Sequence, residues 1–209
     1  MFVKEWMTAN PKTVSSKTPV MEAMQLLRDG GFRRLPVVDD GQLVGIATDR
    51  DLKEATPSKA STLSVYELNY LLSKLTVGEV MVKDVFTIGP DDPIERAALT
   101  MEEEKISGLP VVDGGEVVGI LTITDMLATF VSVLGMREGG TRVTLELPDA
   151  PGILAKVAEA GPPSNIAAVV TAGVEQGGKR ELVLRVTGEQ AAQFPERLKA
   201  AGIEVKNVQ

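Results

Sequence analysis

Along the first two thirds of the chain the alternation of apolar and polar positions runs through one cycle and then repeats it. After Thr18-Pro19, the apolar residues Val20, Ala23, Met24 and Leu27 fall at i, i+3, i+4 and i+7, and after Asp92-Pro93 so do Ile94, Ala97, Ala98 and Met101. Positions three and four apart share one face of a 3.6-residue turn, so each run predicts an amphipathic helix. The Thr-Pro and Asp-Pro pairs read as an N-cap with proline at the first helical position, and Gly30-Gly31 ends the first helix. Next come the run "LPVV", a turn at "DDG" or "DGG", a second run "LVGIA" or "VVGIL", and then Thr-x-x-Asp. This reads as strand, tight turn, strand and the start of another helix. By itself, Thr-x-x-Asp is a helix-capping signature.

Placing Gly45 on Gly119, an offset of 74 positions, carries residues 3–52 onto 77–126 without a gap. "RLPVVDDGQLVGIATDRDL" then lies over "GLPVVDGGEVVGILTITDM", with Met7 over Met81, Thr13 over Thr87, Pro19 over Pro93 and Ala23 over Ala97. An ungapped match of this length marks a duplication, and duplicated small units usually share one core, which is the expectation here. Between them, "SVYELNYLLSKL" opens with a Ser64 to Glu67 capping box and sets Leu68, Leu71, Leu72 and Leu75 on one face, which predicts a bridging helix. Leu127, Phe130, Val131 and Leu134 repeat that spacing up to Gly135, and "MREGG" reads as a linker. The expected organisation is a first unit over 1–59, a bridging helix over 60–76, a second unit over 77–135, a linker over 136–140 and a different module over 141–209.

In that last module "TRVTLEL" alternates as a strand and "PGILAKVAEAG" reads as a helix opened by proline. "NIAAVVTAGVE" and "KRELVLRVT" read as a hairpin around Gly177-Gly178, "GEQAAQFPERLKAAG" as a helix despite Pro195, and "IEVKNV" as a final strand. The order βαββαβ is the split βαβ, or ferredoxin-like, arrangement, so the chain as a whole is of the α/β (α+β) class.

Composition narrows the function. The 209 residues, 44% hydrophobic and 24% charged, are those of an ordinary globular protein. No apolar run approaches bilayer length, and "MFVKEW" lacks the apolar centre of a signal peptide, so the expectation is a cytoplasmic protein without a membrane partner. There is no cysteine and no histidine, which removes thiolate and imidazole metal ligands, thiol nucleophiles and the usual general base. Neither a metal site nor catalytic residues are expected, and an enzyme is the least favoured class. A net charge of -7 argues against nucleic-acid binding, which needs a positive surface.

The doubled order of "LPVVD", strand, Gly-x-x-Thr-x-x-Asp and helix resembles the cystathionine-beta-synthase (CBS) domain, and residues 3 to about 134 resemble a tandem CBS pair, or Bateman module. The resemblance implies clefts that bind adenosine-containing ligands, here AMP, ADP or ATP. In that family the motif aspartate grips the ribose hydroxyls, the threonine lies near ribose or phosphate, and the chain around "LP" and the early Thr-Val pair lines the adenine pocket. By matching positions it implies Thr48 and Asp51 in the first unit and Thr122 and Asp125 in the second. It adds Thr13, Val14, Leu35 and Pro36, with their counterparts Thr87, Ile88, Leu109 and Pro110. A carboxylate is acceptor-only and can take both hydroxyls of a diol, and a helix N-terminus suits a phosphate. The bland alternative is that both motifs are caps and the pair is a scaffold.

The copies differ in charge: Arg33, Arg34 and Arg50 stand where the second unit has Ser107, Gly108 and Thr124. Arg34 and Arg50 are therefore candidate phosphate partners, within their own unit or across to the other's cleft. Residues 141–209, with "LPDAPGIL" and "NIAAVVT", resemble the ACT domain, a regulatory module. That resemblance implies a small amino acid held by Asp149, Pro151, Gly152, Ile153 and Leu154, with Asn165 facing them. A CBS pair followed by an ACT domain resembles the acetoin-utilisation, AcuB-type regulatory proteins. The expectation is a homodimeric sensor of adenine nucleotides, and the alternative is a structural dimerisation or adaptor protein with empty clefts.

Overall fold

The computed structural model describes residues 1–55, 70, 73–174 and 178–209. Contacts divide the chain into two compact units, Met1–Met126 and Leu127–Gln209.

In the first unit the two repeats form the same elements for the same reasons. Helix α1 (Val20–Gly30) buries Val20, Ala23 and Leu27, and its end is set by Gly31 in the left-handed region at φ 65°. The other α-helices and strands up to the unit boundary are, in chain order, β1 (Thr8–Ala9), β2 (Arg34–Asp39), β3 (Gln42–Thr48), α2 (Asp49–Glu54), α3 (Val77–Val80), α4 (Ile94–Glu103), β4 (Gly108–Asp113), β5 (Glu116–Thr122) and α5 (Ile123–Val133), which crosses the boundary at Met126. Helix α4 buries Ile94, Ala97 and Met101, the face that its spacing predicted. Pro19 and Pro93 are themselves the N-caps, one position ahead of the expected place. The Thr18 hydroxyl and the Asp92 carboxylate accept from the backbone N–H groups of Ser15 and Gly89, so they brace the incoming loop instead of capping the helix.

Strands β2 and β3 pair antiparallel from Arg34 against Thr48 to Asp39 against Gln42, and β4 and β5 pair from Gly108 against Thr122 to Asp113 against Glu116. Both hairpin turns use two left-handed residues, Asp40-Gly41 and Gly114-Gly115. That backbone suits the twist of the strands it joins. The predicted bridging helix falls largely on residues outside those described, its Ser64–Glu67 box, Leu68, Leu71 and Leu72 included.

The two repeats have a core each in place of the expected shared one, and they exchange their leading segments. Val3 is completely buried with Ile88, Ile94, Leu109 and Leu121 of the second repeat, and Trp6 and Met7 pack against the same core. β1 extends the second sheet, pairing Thr8 with Ile120 and Ala9 with Gly119. In the mirror arrangement, Val77 of α3 is buried among Val20, Leu35 and Leu52 of the first repeat, and Val82 bridges to Ile46. The exchange explains the motif glycines. A Cβ on Gly45 or Gly119 would run into the sulfur of Met81 or Met7 from the exchanged segment, so the close approach these glycines permit is to a methionine. Gly119→Val is expected to destabilise this unit by about 1–3 kcal/mol through overpacking. Chemical denaturation tests this, and unchanged stability would remove the packing explanation.

The second unit is the ferredoxin-like module. Strands β6 (Thr141–Pro148), β7 (Asn165–Val174), β8 (Lys179–Thr187) and β9 (Val205–Val208) form an antiparallel sheet in the order β7-β8-β6-β9. Helices α6 (Ile153–Glu159) and α7 (Phe194–Ala200) contribute Val157, Phe194 and Leu198 to a core with Val143, Leu145, Leu182, Leu184 and Val186. Two sequence expectations shift here. Pro151 lies in the turn before α6, whose N-cap is Gly152 in the left-handed region at φ 82°. Pro195 occupies the first turn of α7, where its missing N–H costs nothing, so the predicted long helix is a short 3-10 turn (Ala191–Gln193) followed by α7. Gly177, in the predicted hairpin turn, lies outside the described residues.

Candidate functional site

Both Thr-x-x-Asp motifs are helix-capping arrangements. The Asp51 Oδ2 atom accepts from the Thr48 backbone N–H at 2.8 Å and from its hydroxyl at 2.6 Å. Asp125 Oδ2 accepts from the Thr122 N–H and hydroxyl, both at 2.7 Å. These bonds fall on one oxygen of each carboxylate. A carboxylate offers about four acceptor sites, so capping does not exhaust what it can hold.

Each motif opens onto a cleft whose opposite wall comes from the other repeat. The larger cleft, about 530 Å³, sets Thr122, Thr124 and Asp125 against Thr8, Asn10, Pro11 and Lys12 and against the turn from Gly31 to Arg34. The smaller, about 250 Å³, sets Thr48 and Asp51 against Val82, Asp84, Val85 and Phe86 and against the turn from Lys105 to Gly108. These walls are the same positions at the 74-residue offset, so the clefts are related by the duplication. Their chemistry is not the same. Lys12 and Arg33 in the larger cleft face Phe86 and Ser107 in the smaller, and Asn10 becomes Asp84.

Arg33 and Arg34 therefore line the cleft of the second motif, across the repeats, and Arg34 lines the smaller cleft as well. Arg34 Nη2 donates to Ser107 Oγ at 2.8 Å, and the guanidinium fills the space that a Cβ on Gly108 would need. Burial draws its pKa below the ordinary value, Arg33 adds to that, and Asp125 opposes it. Arg50 lines neither cleft: its side chain is 83% exposed and pairs with Glu54 at 2.7 Å along α2.

The two Leu-Pro pairs and the pairs Thr13-Val14 and Thr87-Ile88 are not among the residues lining either cleft, although Lys12, Arg34 and Gly108 directly before them are. Leu35 and Leu109 are fully buried, Val14 and Ile88 are buried and bonded into the sheets, and Pro36 and Pro110 supply the carbonyls that accept from Val14 and Ile88. Thr13 is exposed, and Thr87 lines a separate shallow depression with Gln42 and Lys83. Lys12 was not singled out from the sequence. Only the exchange of leading segments, which no local pattern reports, brings it opposite Asp125.

In the second unit a cleft of about 320 Å³ is lined by Leu147, Pro148, Asp149, Gly152, Ile153, Leu154, Thr171 and Arg180. Asp149 does not cap α6. Its two oxygens accept from Arg180 Nε at 3.0 Å and Nη2 at 3.1 Å, and this contact holds its pKa below the usual carboxylate range. Pro151 is not among the lining residues. Asn165 does not face this loop: it pairs with Thr187 at the end of the β7–β8 ladder opposite Pro148 and Lys179. Among the described residues no group of three or more His, Cys, Asp or Glu could hold a metal ion, and no helix is long and apolar enough to cross a membrane.

A duplicated helix-and-hairpin unit with exchanged leading segments and paired clefts, followed by a βαββαβ module, defines a class of regulatory modules. The CBS domain model matches residues 3–58 and 77–132, and the TTHA0829-like ACT domain model matches residues 139–209. The chain belongs to the CBS-domain family, as a CBS-pair regulatory protein with a C-terminal ACT-like domain.

The chain is 35% identical over 131 residues to L-aspartate semialdehyde sulfurtransferase of Methanocaldococcus jannaschii, a match that takes in 62% of this chain and 23% of that enzyme. Among solved structures, the CBS domain pair of protein MJ0100, in complex with 5′-methylthioadenosine and S-adenosyl-L-methionine, shares 34% identity at a TM-score of 0.53. It covers 63% of this chain and 97% of that one. A Vibrio cholerae protein assigned to acetoin utilization, AcuB, shares 29% identity at a TM-score of 0.55, over 66% of this chain and 96% of that one.

Proposed function

We propose that this chain is a ligand-sensing regulator whose larger cleft takes an adenine nucleotide of the AMP, ADP or ATP kind. One observation carries the reading: Thr122 and Asp125 form one wall of a 530 Å³ cleft whose opposite wall presents Lys12, Arg33 and Arg34. A carboxylate at one side and three cations at the other complement a molecule with a sugar diol at one end and phosphate at the other. The size falls within the usual range for small-molecule sites, about 300–1,000 Å³. The adenosine-type ligands of the MJ0100 pair support the same assignment. The smaller cleft, with Asp84 and Phe86 in place of Asn10 and Lys12, suits a nucleoside carrying less negative charge. The likeness to the Vibrio cholerae protein supports an acetoin-utilisation setting.

In the ACT-like unit we propose an amino acid as ligand. The Asp149–Arg180 pair beside an apolar cleft presents both signs of charge to a zwitterion, Asp149 for the ammonium group and Arg180 for the carboxylate.

A thermal-shift panel of AMP, ADP, ATP, adenosine and the common amino acids tests both. A ligand at 100 times its Kd stabilises by about 2.7 kcal/mol. The nucleotides are expected to bind more tightly than adenosine at low salt, with the gap narrowing as salt screens the exposed cations. No shift with any of the panel would favour the alternative, a structural dimerisation or adaptor protein.

A further inference from the structure

Position 34 and its duplicate, position 108, sit where the two repeats meet. Arg34 pairs with Thr48 across one ladder and Gly108 with Thr122 across the other, so each lies beside a motif threonine. One is the longest cationic side chain and the other has none. The absence of a Cβ at Gly108 is what lets the Arg34 guanidinium lie over the second repeat and reach Ser107. As a result Arg34 and Ser107 line both clefts.

Without Arg34, the larger cleft keeps Lys12 and Arg33. The smaller keeps Lys105, opposed by Asp84. We infer that Arg34 is a phosphate-binding residue shared by the two clefts, and that anionic ligands therefore bind the pair anticooperatively while uncharged ones bind independently. The inference rests on the nucleotide reading above. A phosphate in one cleft draws the guanidinium off Ser107 to its own side. The second ligand then meets a cleft short of one bidentate donor, a loss that lysine at point-charge geometry does not replace. Adenosine makes no claim on the guanidinium, so its two sites stay independent. The device converts a nucleotide-to-nucleoside ratio into distinct occupancies of one protein.

The test is calorimetry of the full chain with ADP and with adenosine, in the wild type, in Asp51→Asn and Asp125→Asn, which cripple one cleft each, and in Arg34→Met. In the wild type the second ADP is expected to bind at least about fivefold more weakly than it does to the variant in which only that cleft is intact, the lower end of ordinary coupling. Adenosine is expected to show no such difference. Arg34→Met is expected to abolish the fivefold loss. Gly108→Val, which drives the guanidinium from its seat while keeping the arginine, is expected to reduce it. Equal ADP affinities with and without an occupied neighbour overturn the inference while leaving the nucleotide reading intact. Coupling that survives in Arg34→Met overturns it too, since it then arises from repulsion between the ligands. No binding of either ADP or adenosine removes the nucleotide reading, and this inference with it.

Discussion

Val3→Asp is expected to destabilise the half of the CBS pair built from residues 88–121, far along the chain, by about 3–5 kcal/mol. Val3 has no exposed surface and sits among Ile88, Ile94, Ala97, Met101, Leu109, Val111 and Leu121. A carboxylate there has no cation to pair with in that apolar set, and the burial of the valine, worth about 1.5–3 kcal/mol, is lost as well. Hydrogen exchange resolves the location: amides of β4 and β5 lose protection while those of β2 and β3 keep theirs. Val77→Asp is the mirror experiment, expected to loosen β2 and β3, because Val77 is fully buried in the first core. Loss confined to β2 and β3 in Val3→Asp would mean that the leading segment packs on its own repeat and that the exchange is wrong.

Asp125→Ala is expected to weaken ADP at the larger cleft by about 10- to 150-fold, the equivalent of about 1.5–3 kcal/mol for hydrogen bonds to a charged acceptor. The substitution also breaks a helix start, since Asp125 Oδ2 accepts from the Thr122 N–H and hydroxyl. Thr122→Ala separates the two roles, because it removes the threonine hydroxyl from the arrangement and keeps the carboxylate. Its effect on ADP is expected to be the smaller of the two, at a stability cost of about 0.5–2 kcal/mol that is shared with Asp125→Ala. Calorimetry showing unchanged ADP affinity in Asp125→Ala, Asp51→Ala and the double variant would exclude a ribose-holding role for either carboxylate.

Much of the local structure was legible in the chain. The helix faces carrying Val20, Ala23 and Leu27 and carrying Ile94, Ala97 and Met101 follow from a 3.6-residue period, and the paired Asp40-Gly41 and Gly114-Gly115 turns from the need for left-handed residues in a two-residue hairpin. The Thr-x-x-Asp caps form as written because every contact they use lies within four residues. The errors are of two kinds. Proline positions slipped where a neighbouring side chain found another donor, as at Thr18 and Asp92, or where the preceding residues wound into a 3-10 turn, as before Pro195. Side-chain surroundings were illegible for a second reason, that they are set by packing: Asp149 meets Arg180 from 31 residues away, Arg50 turns along its own helix to Glu54, and Asn165 stands at the end of the ladder opposite Pro148.

The sequence by itself determined the duplication, the helix, hairpin and helix of each repeat, the βαββαβ order of the last module and the unequal charge of the two copies, because period, turn chemistry and composition act over a few residues. It could not determine which repeat each leading segment belongs to. Val3 on one core and Val77 on the other satisfy the same hydrophobic pattern with or without exchange, and only the packed cores distinguish them. That choice decides which cleft Lys12 lines. With the missing Cβ of Gly108, the packed structure also places one guanidinium in the lining of two clefts that the chain writes 74 residues apart.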